Sequence, residues 1–395
     1  MAGAASRGLV SPMETHGGAA RVLREQSCRL AARGHAVTVL CRHPGGDVPL
    51  CGDLAGVPVL HYPVDRRHPL AFAVTSVRGV RRRFGEALSG RDWDAVVFHQ
   101  PLSAVGVTPL LPRALRRLYV FHSAAGDEYR VRAAGMDGGR PAAGAGLVAA
   151  FLGRVERHAL RAAGTVLVLS EFSRQVLART HGSLRVPVVT IAGGVDLERF
   201  RPPADRVCVR ERLGLGAGGA LLLTVRDLQP RMGLDTLLRA VAALRARQEV
   251  TCVIGGSGAL RPALERLAAE LELGEVVRFT GHIPEAVLPL FYQAADLFVL
   301  PTRVLEGFGL VTVEALASGT PVVATPVGAT PEILTPLDPR LLAADGSAPA
   351  LSAALATALP LSTDAGFRRR CREYAERRYS WERHVDALEA VLVDR

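Results

Sequence analysis

Short apolar runs recur along the chain, and most are followed by a segment with helical spacing of its apolar residues. In the first half the runs Ala36–Cys41, Val57–Tyr62, Ala95–His99, Leu118–Phe121, Thr165–Leu169 and Val186–Ile191 read as buried strands. In the second half Ala220–Val225, Val250–Ile254, Val276–Thr280, Leu297–Leu300 and Val322–Ala324 read the same way. Helices are expected at Ala19–Arg33, about Leu147–Ala163, up to about Arg245, from the opening Gly255-Gly256-Ser257-Gly258, at Glu285–Ala294 and about Leu310–Ala317, the last stopped by Gly319 before Pro321. Only Gly8-Leu9-Val10 offers an opening strand, so that strand is short or the N-terminus is incomplete. After residue 335 the pattern turns helical, with a charged stretch Arg368–Arg378 and Ser380 as a helix N-cap. Strands alternating with helices in both halves predict an α/β chain of two doubly wound, Rossmann-like parallel sheets.

Composition narrows the class. The 395 residues suffice for two ordinary domains, and 49% hydrophobic with 22% charged residues fits a folded globular chain. No apolar run approaches the roughly 18–20 residues of a transmembrane helix, and no signal-peptide core opens the chain, so a cytoplasmic location is expected. The six cysteines have no metal-ligand spacing, and reduced thiols are expected. The net charge is +10, and all 48 basic residues are arginine, a bias that weakens any reading of a single arginine. The balance suits anionic small molecules or an anionic membrane surface. With spread charge and 5% aromatics it suits nucleic acid poorly. The basic helix around Arg78–Arg83 reads as a solvated face or, more sharply, as a peripheral membrane contact.

The most informative stretch is Phe298–Ala324: strand, glycine-bearing loop, helix, strand. Gly307 and Gly309 let backbone approach a ligand, and the helix that opens after them aims N–H groups and a partial positive charge at an anion such as a diphosphate. Glu306 and Glu314 are suited to accepting hydrogen bonds from neutral hydroxyls, as on a sugar or ribose. Taken singly, Glu306 reads more simply as a helix-end acid favoured by the dipole and Glu314 as part of a solvated face. Arg226 and Arg231 follow the strand Ala220–Val225, where two cations can offset the charge of a diphosphate without a metal. His122 ends the strand Leu118–Phe121, and ligands of such sheets sit at the carboxyl ends of strands. Two motif matches are set aside. Asp92-Trp93-Asp94 precedes a buried strand and reads as a strand entrance, and Gly214, Gly216 and Gly219 precede a strand where a dinucleotide fingerprint must follow one.

Glu306 and Glu314 are separated by seven residues inside EGFGLVTVEALASGTPVVA. This segment resembles the E-x7-E region of the family-4 retaining glycosyltransferases, enzymes of the two-domain GT-B fold. The resemblance extends to HGGAARVLREQSCRLAARGHAVTVL, FHSAAGDEYR, Ser170-Glu171-Phe172, Gly193-Gly194-Val195-Asp196, Arg226-Asp227-Leu228 through Gly233, Gly256-Ser257-Gly258, Gly328–Ile333 and Tyr379-Ser380-Trp381-Glu382. Arg231 stands where that family usually has lysine. The resemblance implies two Rossmann-like domains facing a central cleft: residues 1–197, onto which a C-terminal helix 379–395 crosses back, and residues 198–378 for the nucleotide-sugar. It implies that His122, Glu306, Arg226 and Arg231 carry the chemistry. Gly17, Gly18, Gly258, Phe308, Gly309, Leu310 and Glu314 would bind the donor, and Glu128 would lie near the acceptor. The Gly- and Ala-rich residues 131–146 would form a mobile acceptor loop.

The implied reaction is glycosyl transfer from a nucleotide-diphosphate sugar with retained configuration and no cofactor or metal. The acceptor would be a glycan, a lipid-linked glycan or a small molecule. Alternatives are a sugar-nucleotide epimerase, which would consume donor with no acceptor, a pseudo-glycosyltransferase, and a non-catalytic sugar-nucleotide-binding protein. Retention of Glu306, Glu314, Arg226 and His122 together argues against the last.

Overall fold

The structure, a computed structural model, describes residues 9–11, 17–133, 144–216 and 218–393. The expected loop 131–146 therefore lies mostly outside the described residues. The chain forms two units. Among the described residues, the first comprises those up to 133, 144–193 and 381–393, and the second those from 194 to 380. The chain leaves the first unit after Gly193 and re-enters it at Trp381. Inside the second unit the two passages run side by side, with Val195 N–H donating to the Tyr379 carbonyl at 2.6 Å.

The first unit is built on an eight-stranded sheet. Its strands are β1 (Leu9–Ser11), β2 (Val37–Arg42), β3 (Cys51–Leu54), β4 (Val57–Tyr62), β5 (Ala95–Phe98), β6 (Arg116–Phe121), β7 (Thr165–Val168) and β8 (Val188–Thr190). Their order is β3-β4-β2-β1-β5-β6-β7-β8, and all neighbours are parallel except β3 with β4. The short first strand is real: Leu9 pairs with Val37 on one side and Ala95 on the other. Strand β3 is not announced by any apolar run. It is mostly exposed and forms a hairpin with β4 through Ala55 and Gly56, both at positive φ, the geometry of a tight two-residue hairpin turn. The central strands β2 and β5 are buried throughout, as parallel strands covered on both faces must be.

Helices α1 (Gly18–Ala32), α2 (Pro69–Ala87), α3 (Pro101–Val107), α4 (Ala125–Ala133), α5 (Ala145–Ala162) and α6 (Glu171–His181) cover this sheet. Ser170 caps α6 by accepting from Ser173 N–H at 3.0 Å. Asp92 and Asp94 flank Trp93, whose Nε1 donates to the Leu88 carbonyl at 3.0 Å, so that segment ties the end of α2 to the entrance of β5. The C-terminal helix Trp381–Val393 docks on α1, where Arg33 reaches Asp386 at 2.6 Å and Glu389 at 2.8 Å. Trp381 and His384 on its inner face are buried.

The second unit carries a five-stranded, all-parallel sheet: β9 (Ala220–Val225), β10 (Val250–Gly255), β11 (Val277–Gly281), β12 (Leu297–Leu300) and β13 (Val322–Ala324). The order β11-β10-β9-β12-β13 reverses direction between β9 and β12. At such a switch point the loops leaving two neighbouring strands part to opposite faces and open a crevice at the carboxyl ends. Helices α7 (Arg206–Arg212), α8 (Leu234–Arg245), α9 (Arg261–Glu270), α10 (Leu288–Ala294), α11 (Leu310–Ala317), α12 (Thr330–Leu334), α13 (Ala348–Thr363) and α14 (Ala365–Arg378) surround it. Helix α9 begins at Arg261 and not at Gly255–Gly258, because those glycines loop over the backbone of Leu228, with Leu228 N–H on the Ser257 carbonyl. All six cysteines are unbridged, and burial pushes the thiols of Cys252 and Cys371 up to about 12.

Helices α2 and α3 meet at Gly106. A Cβ there would lie 2.5 Å from Val80 Cγ1 and 2.8 Å from the Val77 carbonyl. Gly106→Ala should therefore cost about 1–3 kcal/mol by overpacking. Gly153→Ala, facing open space on α5, should be neutral or gain up to about 1 kcal/mol from helix propensity. Both tryptophans, Trp93 and Trp381, belong to the first unit, so tryptophan fluorescence during urea unfolding reads this unit selectively. Equal midpoints for the two variants would contradict the packing described.

Candidate active site

The crevice of the second unit is assembled from three loops that the strand order brings together. The loop after β9 carries Arg226 and Arg231, the loop after β12 carries Glu306, and the loop after β13 carries Gly328. Arg226 Nη2 donates to Glu306 Oε2 at 2.8 Å across the switch point. The same carboxylate oxygen accepts from Thr302 Oγ1 at 3.1 Å. Arg226 Nη2 also lies 2.9 Å from Met232 Sδ, while Nη1 is buried and has no protein partner. A buried guanidinium with one nitrogen unsatisfied is costly unless an anion or polar ligand completes it. Arg231 is half-buried and places Nη1 3.2 Å from the Leu305 carbonyl, just before Glu306. Leu305 itself sits at φ 60, in the left-handed region that a branched side chain rarely adopts.

Backbone contacts without side chains sew these loops to one another. Gly233, at φ +68, faces the Pro301 carbonyl, which a Cβ would approach to 1.9 Å. Arg303 N–H donates to the Arg231 carbonyl at 2.8 Å beside it. Gly328, at φ +66, faces the Glu306 carbonyl, which a Cβ would approach to 2.1 Å and which accepts from Ala329 N–H at 2.9 Å. Gly258 is held against Leu228, whose carbonyl a Cβ would approach to 2.4 Å. Gly309 caps α11 in the left-handed conformation, and Leu310 opens the helix half-buried. Phe308 turns inward and packs edge-on against Tyr379 at 5.9 Å.

Glu314 lies within α11 and is only 2% exposed. Its Oε2 accepts from Tyr292 Oη at 2.9 Å. Tyr292 is fully buried and is braced by Phe298 and Phe200. The structure thus joins Arg226, Arg231 and Glu306 into one cluster and anchors Glu314 separately through α10.

In the first unit the predicted residues again stand at carboxyl ends of strands. Gly17 and Gly18 are exposed, and Gly18 opens α1. His122 follows β6 and is half-buried, and its Nε2 lies 3.0 Å from Nδ1 of His99, which follows β5. Burial pushes the His122 imidazole down to about 4, and His99 well below its usual value, so both are neutral near pH 7. Glu128 is exposed on α4. That helix is pinned at its start by Ala125 N–H donating to Glu156 Oε2 at 3.1 Å, and the same oxygen lies 2.8 Å from His181 Nε2. Burial raises the Glu156 carboxyl, and the hydrogen bond from His181 opposes that rise. Periodicity did not single out His99, Thr302, Tyr292 or the Glu156–His181 pair. For His99 a signal was present: like His122, it directly follows an apolar strand.

Among the described residues no group of three or more His, Cys, Asp or Glu side chains is arranged to hold a metal ion, and no helix is long and apolar enough to cross a membrane.

Residues 17–194 match the family pattern described as glycosyl transferase 4-like domain, and residues 208–378 match that of glycosyl transferases group 1. The chain is 33% identical over 392 residues to a D-inositol 3-phosphate glycosyltransferase of Saccharomonospora viridis, covering 94% of this chain and 88% of that relative. A second protein of that description, from Catenulispora acidiphila, is 41% identical over 183 residues, 44% of this chain and 42% of its own length. Among solved structures, sucrose-phosphate synthase of Thermosynechococcus elongatus superposes with a TM-score of 0.82 at 24% identity, covering 98% of both chains. Anabaena HepE, solved in complex with UDP and glucose, gives 0.76 at 19% identity over 99% of this chain and 100% of its own.

Gly328→Ala removes no charged or hydrogen-bonding side chain, yet it must displace the backbone of Glu306. Amide hydrogen exchange across residues 302–312 should accelerate in this variant while β9 and β10 keep their protection. Unchanged exchange in that loop would mean that Gly328 does not hold it.

Proposed function

The chain belongs to the group 1 glycosyl transferases, family 4 of the GT-B fold, and from that premise we propose that it moves a sugar from a nucleotide-diphosphate donor to a hydroxyl acceptor with retention of configuration and without a bound metal. The observation that carries this reading is the Arg226–Glu306 contact at the switch point, with Arg226 Nη1 buried and unpartnered beside it. A cation there matches a phosphate oxygen, and a carboxylate locked next to it matches sugar hydroxyls that no phosphate would displace.

In this proposal Arg226 and Arg231 receive the diphosphate and stabilise its charge as it leaves. The backbone N–H groups of Gly309 and Leu310 add donors at the start of α11. Glu306 fixes the sugar, and Glu314 accepts from ribose hydroxyls. His122 and the Gly17–Gly18 turn serve the sugar and phosphate, and Glu128 serves the acceptor. Phe308 acts as a wedge behind the loop, and Gly258 supports Leu228. The bond from the anomeric carbon to the diphosphate oxygen breaks, and the acceptor oxygen bonds to that carbon on the same face. The acceptor's proton passes to the departing phosphate oxygen. No protein carboxylate need act as nucleophile. HepE was solved with UDP and glucose, which makes uridine diphosphate sugars the first donors to try.

The same proposal gives α2 a role at an anionic membrane surface. Leu70 is 71% exposed and Val74 39%, four residues apart, and the exposed Arg78, Arg81 and Arg82 follow in line. Arg83 is not part of this face, because its Nη2 lies 2.9 Å from Cys51 Sγ. A cytoplasmic enzyme working on lipid-linked acceptors would use such a stripe. Reversing Arg78, Arg81 and Arg82 to Glu should weaken binding to phosphatidylglycerol vesicles by about a hundredfold, given about 1 kcal/mol per basic residue near the surface. Vesicle binding that is unchanged, or absent in the parent protein, would remove the membrane role.

The central test screens UDP-, GDP- and ADP-sugars by thermal shift and then assays transfer by mass spectrometry with inositol phosphate, glycan and lipid-linked acceptors. Glu306→Gln keeps the side chain's shape and one acceptor oxygen for Arg226. It should fold, with a smaller loss of stability than Glu306→Ala, and lose transfer by about 10²-fold or more. Glu306→Ala is the poorer probe, because stranding a buried Arg226 costs about 3–5 kcal/mol by itself. Normal turnover in Glu306→Gln would take Glu306 out of the site. Donor converted with no acceptor present would favour epimerisation over transfer.

A further inference from the structure

Two histidines meet at the carboxyl end of the sheet in the first unit. His99 follows β5 and His122 follows β6, and these strands are neighbours. Nδ1 of His99 lies 3.0 Å from Nε2 of His122. The ring centroids are 5.2 Å apart and the planes differ by 26°. That separation is too long for a face-to-face stack and suits two rings joined edge to edge by one hydrogen bond.

Two neutral imidazoles can share this contact in two ways, and each fixes both tautomers. If His122 donates from Nε2, its Nδ1 is a bare lone pair, and His99 carries its proton on Nε2. If His99 donates from Nδ1, its own Nε2 is bare, and His122 carries its proton on Nδ1. The choice falls on His99 Nε2. This nitrogen is buried, in a residue 5% exposed, and has no hydrogen-bond partner. A buried N–H without an acceptor is rarer in native proteins than an acceptor left short of a donor. The nearby His384 follows the same logic with its partners present. Its Nδ1 lies 2.7 Å from the Ala192 carbonyl and must donate, which leaves Nε2 to accept from Gln26 Nε2 at 2.9 Å. With the proton of His99 on Nδ1, the buried N–H groups of His99 and His384 each point at an acceptor, and the Nδ1–H of His122 is the one turned to a ligand.

We propose that His99 is a positioning residue that fixes His122 in the Nδ1–H tautomer, so that His122 can offer a ligand only a hydrogen-bond donor. His122 then gives its Nδ1–H to an oxygen of the bound sugar or phosphate and cannot act there as a proton acceptor. This consequence rests on the glycosyl-transfer reading above; the tautomer itself does not. Asn at position 99 can place an amide N–H where His99 has Nδ1–H, whereas Phe fills the space and donates nothing.

The test uses the full chain with 15N-labelled histidine and long-range 1H–15N correlation at neutral pH. A protonated, pyrrole-type Nδ1 and a pyridine-type Nε2 at His122 are expected, and the same pattern at His99. In His99→Phe the His122 pattern should shift toward Nε2–H. UDP-sugar hydrolysis or transfer should fall about tenfold, the worth of one oriented hydrogen bond, and His99→Asn should restore both to within about threefold. A His122 protonated on Nε2 in the parent protein, or unmoved in His99→Phe, overturns the proposal. If His99→Phe does not fold, the parent spectrum and His99→Asn decide it. If the tautomer is as assigned but UDP-glucose, GDP-mannose and ADP-glucose all leave the His122 resonances unchanged, the role of His99 stands and the donor-binding role of His122 falls.

Discussion

The contact between Arg226 and Glu306 is the constraint on which the second unit's site depends. Both side chains are buried, and neither could remain so alone, since an ion left unpaired in a protein interior costs several kcal/mol. The pair fixes the loop after β9 against the loop after β12 at the point where the strand order reverses. What the pair leaves unsatisfied is as informative as what it joins. The buried Nη1 of Arg226 has no protein acceptor, and the proposed function assigns it a phosphate oxygen. Specificity and stability therefore share one structure, because the carboxylate that neutralises the arginine in the resting protein is the group proposed to hold the sugar.

Such a pair is useful only if the loops around it cannot relax. That rigidity comes from close backbone contacts. Gly233 against Pro301 and Gly328 against Glu306 admit no Cβ, and the three loops interlock through main-chain groups. Main-chain contact has no rotamers to lose, so it holds geometry at low entropic cost. The strained Leu305, whose carbonyl Arg231 holds, shows the same over-determination. The first unit solves the problem differently. There, neutral histidines and a buried Glu156–His181 pair fix the segment after β6, and the orientation of His122 is set by a hydrogen bond instead of a charge.

Much of the architecture could be read directly from the chain. Ala220–Val225, Leu297–Leu300 and Val322–Ala324 run between the same residues in the structure as the apolar pattern predicts, because a parallel strand covered on both faces must be apolar throughout. Helix Leu310–Ala317 does so as well, stopped by Gly319 and Pro321. Strand β3 leaves no such mark for the converse reason, being an edge strand with no buried face. Helix α9 begins later than the glycines at 255–258 predict, because a run of glycines signals close approach and helix entry alike. The site was legible where residue type and strand end coincide, as at Arg226, Glu306 and His122. His99 stands at such a strand end as well, but a single histidine beside a strand carries no sign of its partner.

The sequence alone determined most of the strands and helices and which loops carry arginines, acids and glycines, because those patterns are imposed within a few residues by burial and backbone geometry. Only the tertiary structure decided that Arg226 meets Glu306, eighty positions away, that Tyr292 occupies one oxygen of Glu314, and that His99 reaches His122. Those pairings follow from strand order and from the direction each loop takes at a sheet's reversal, and no local period along the chain encodes either.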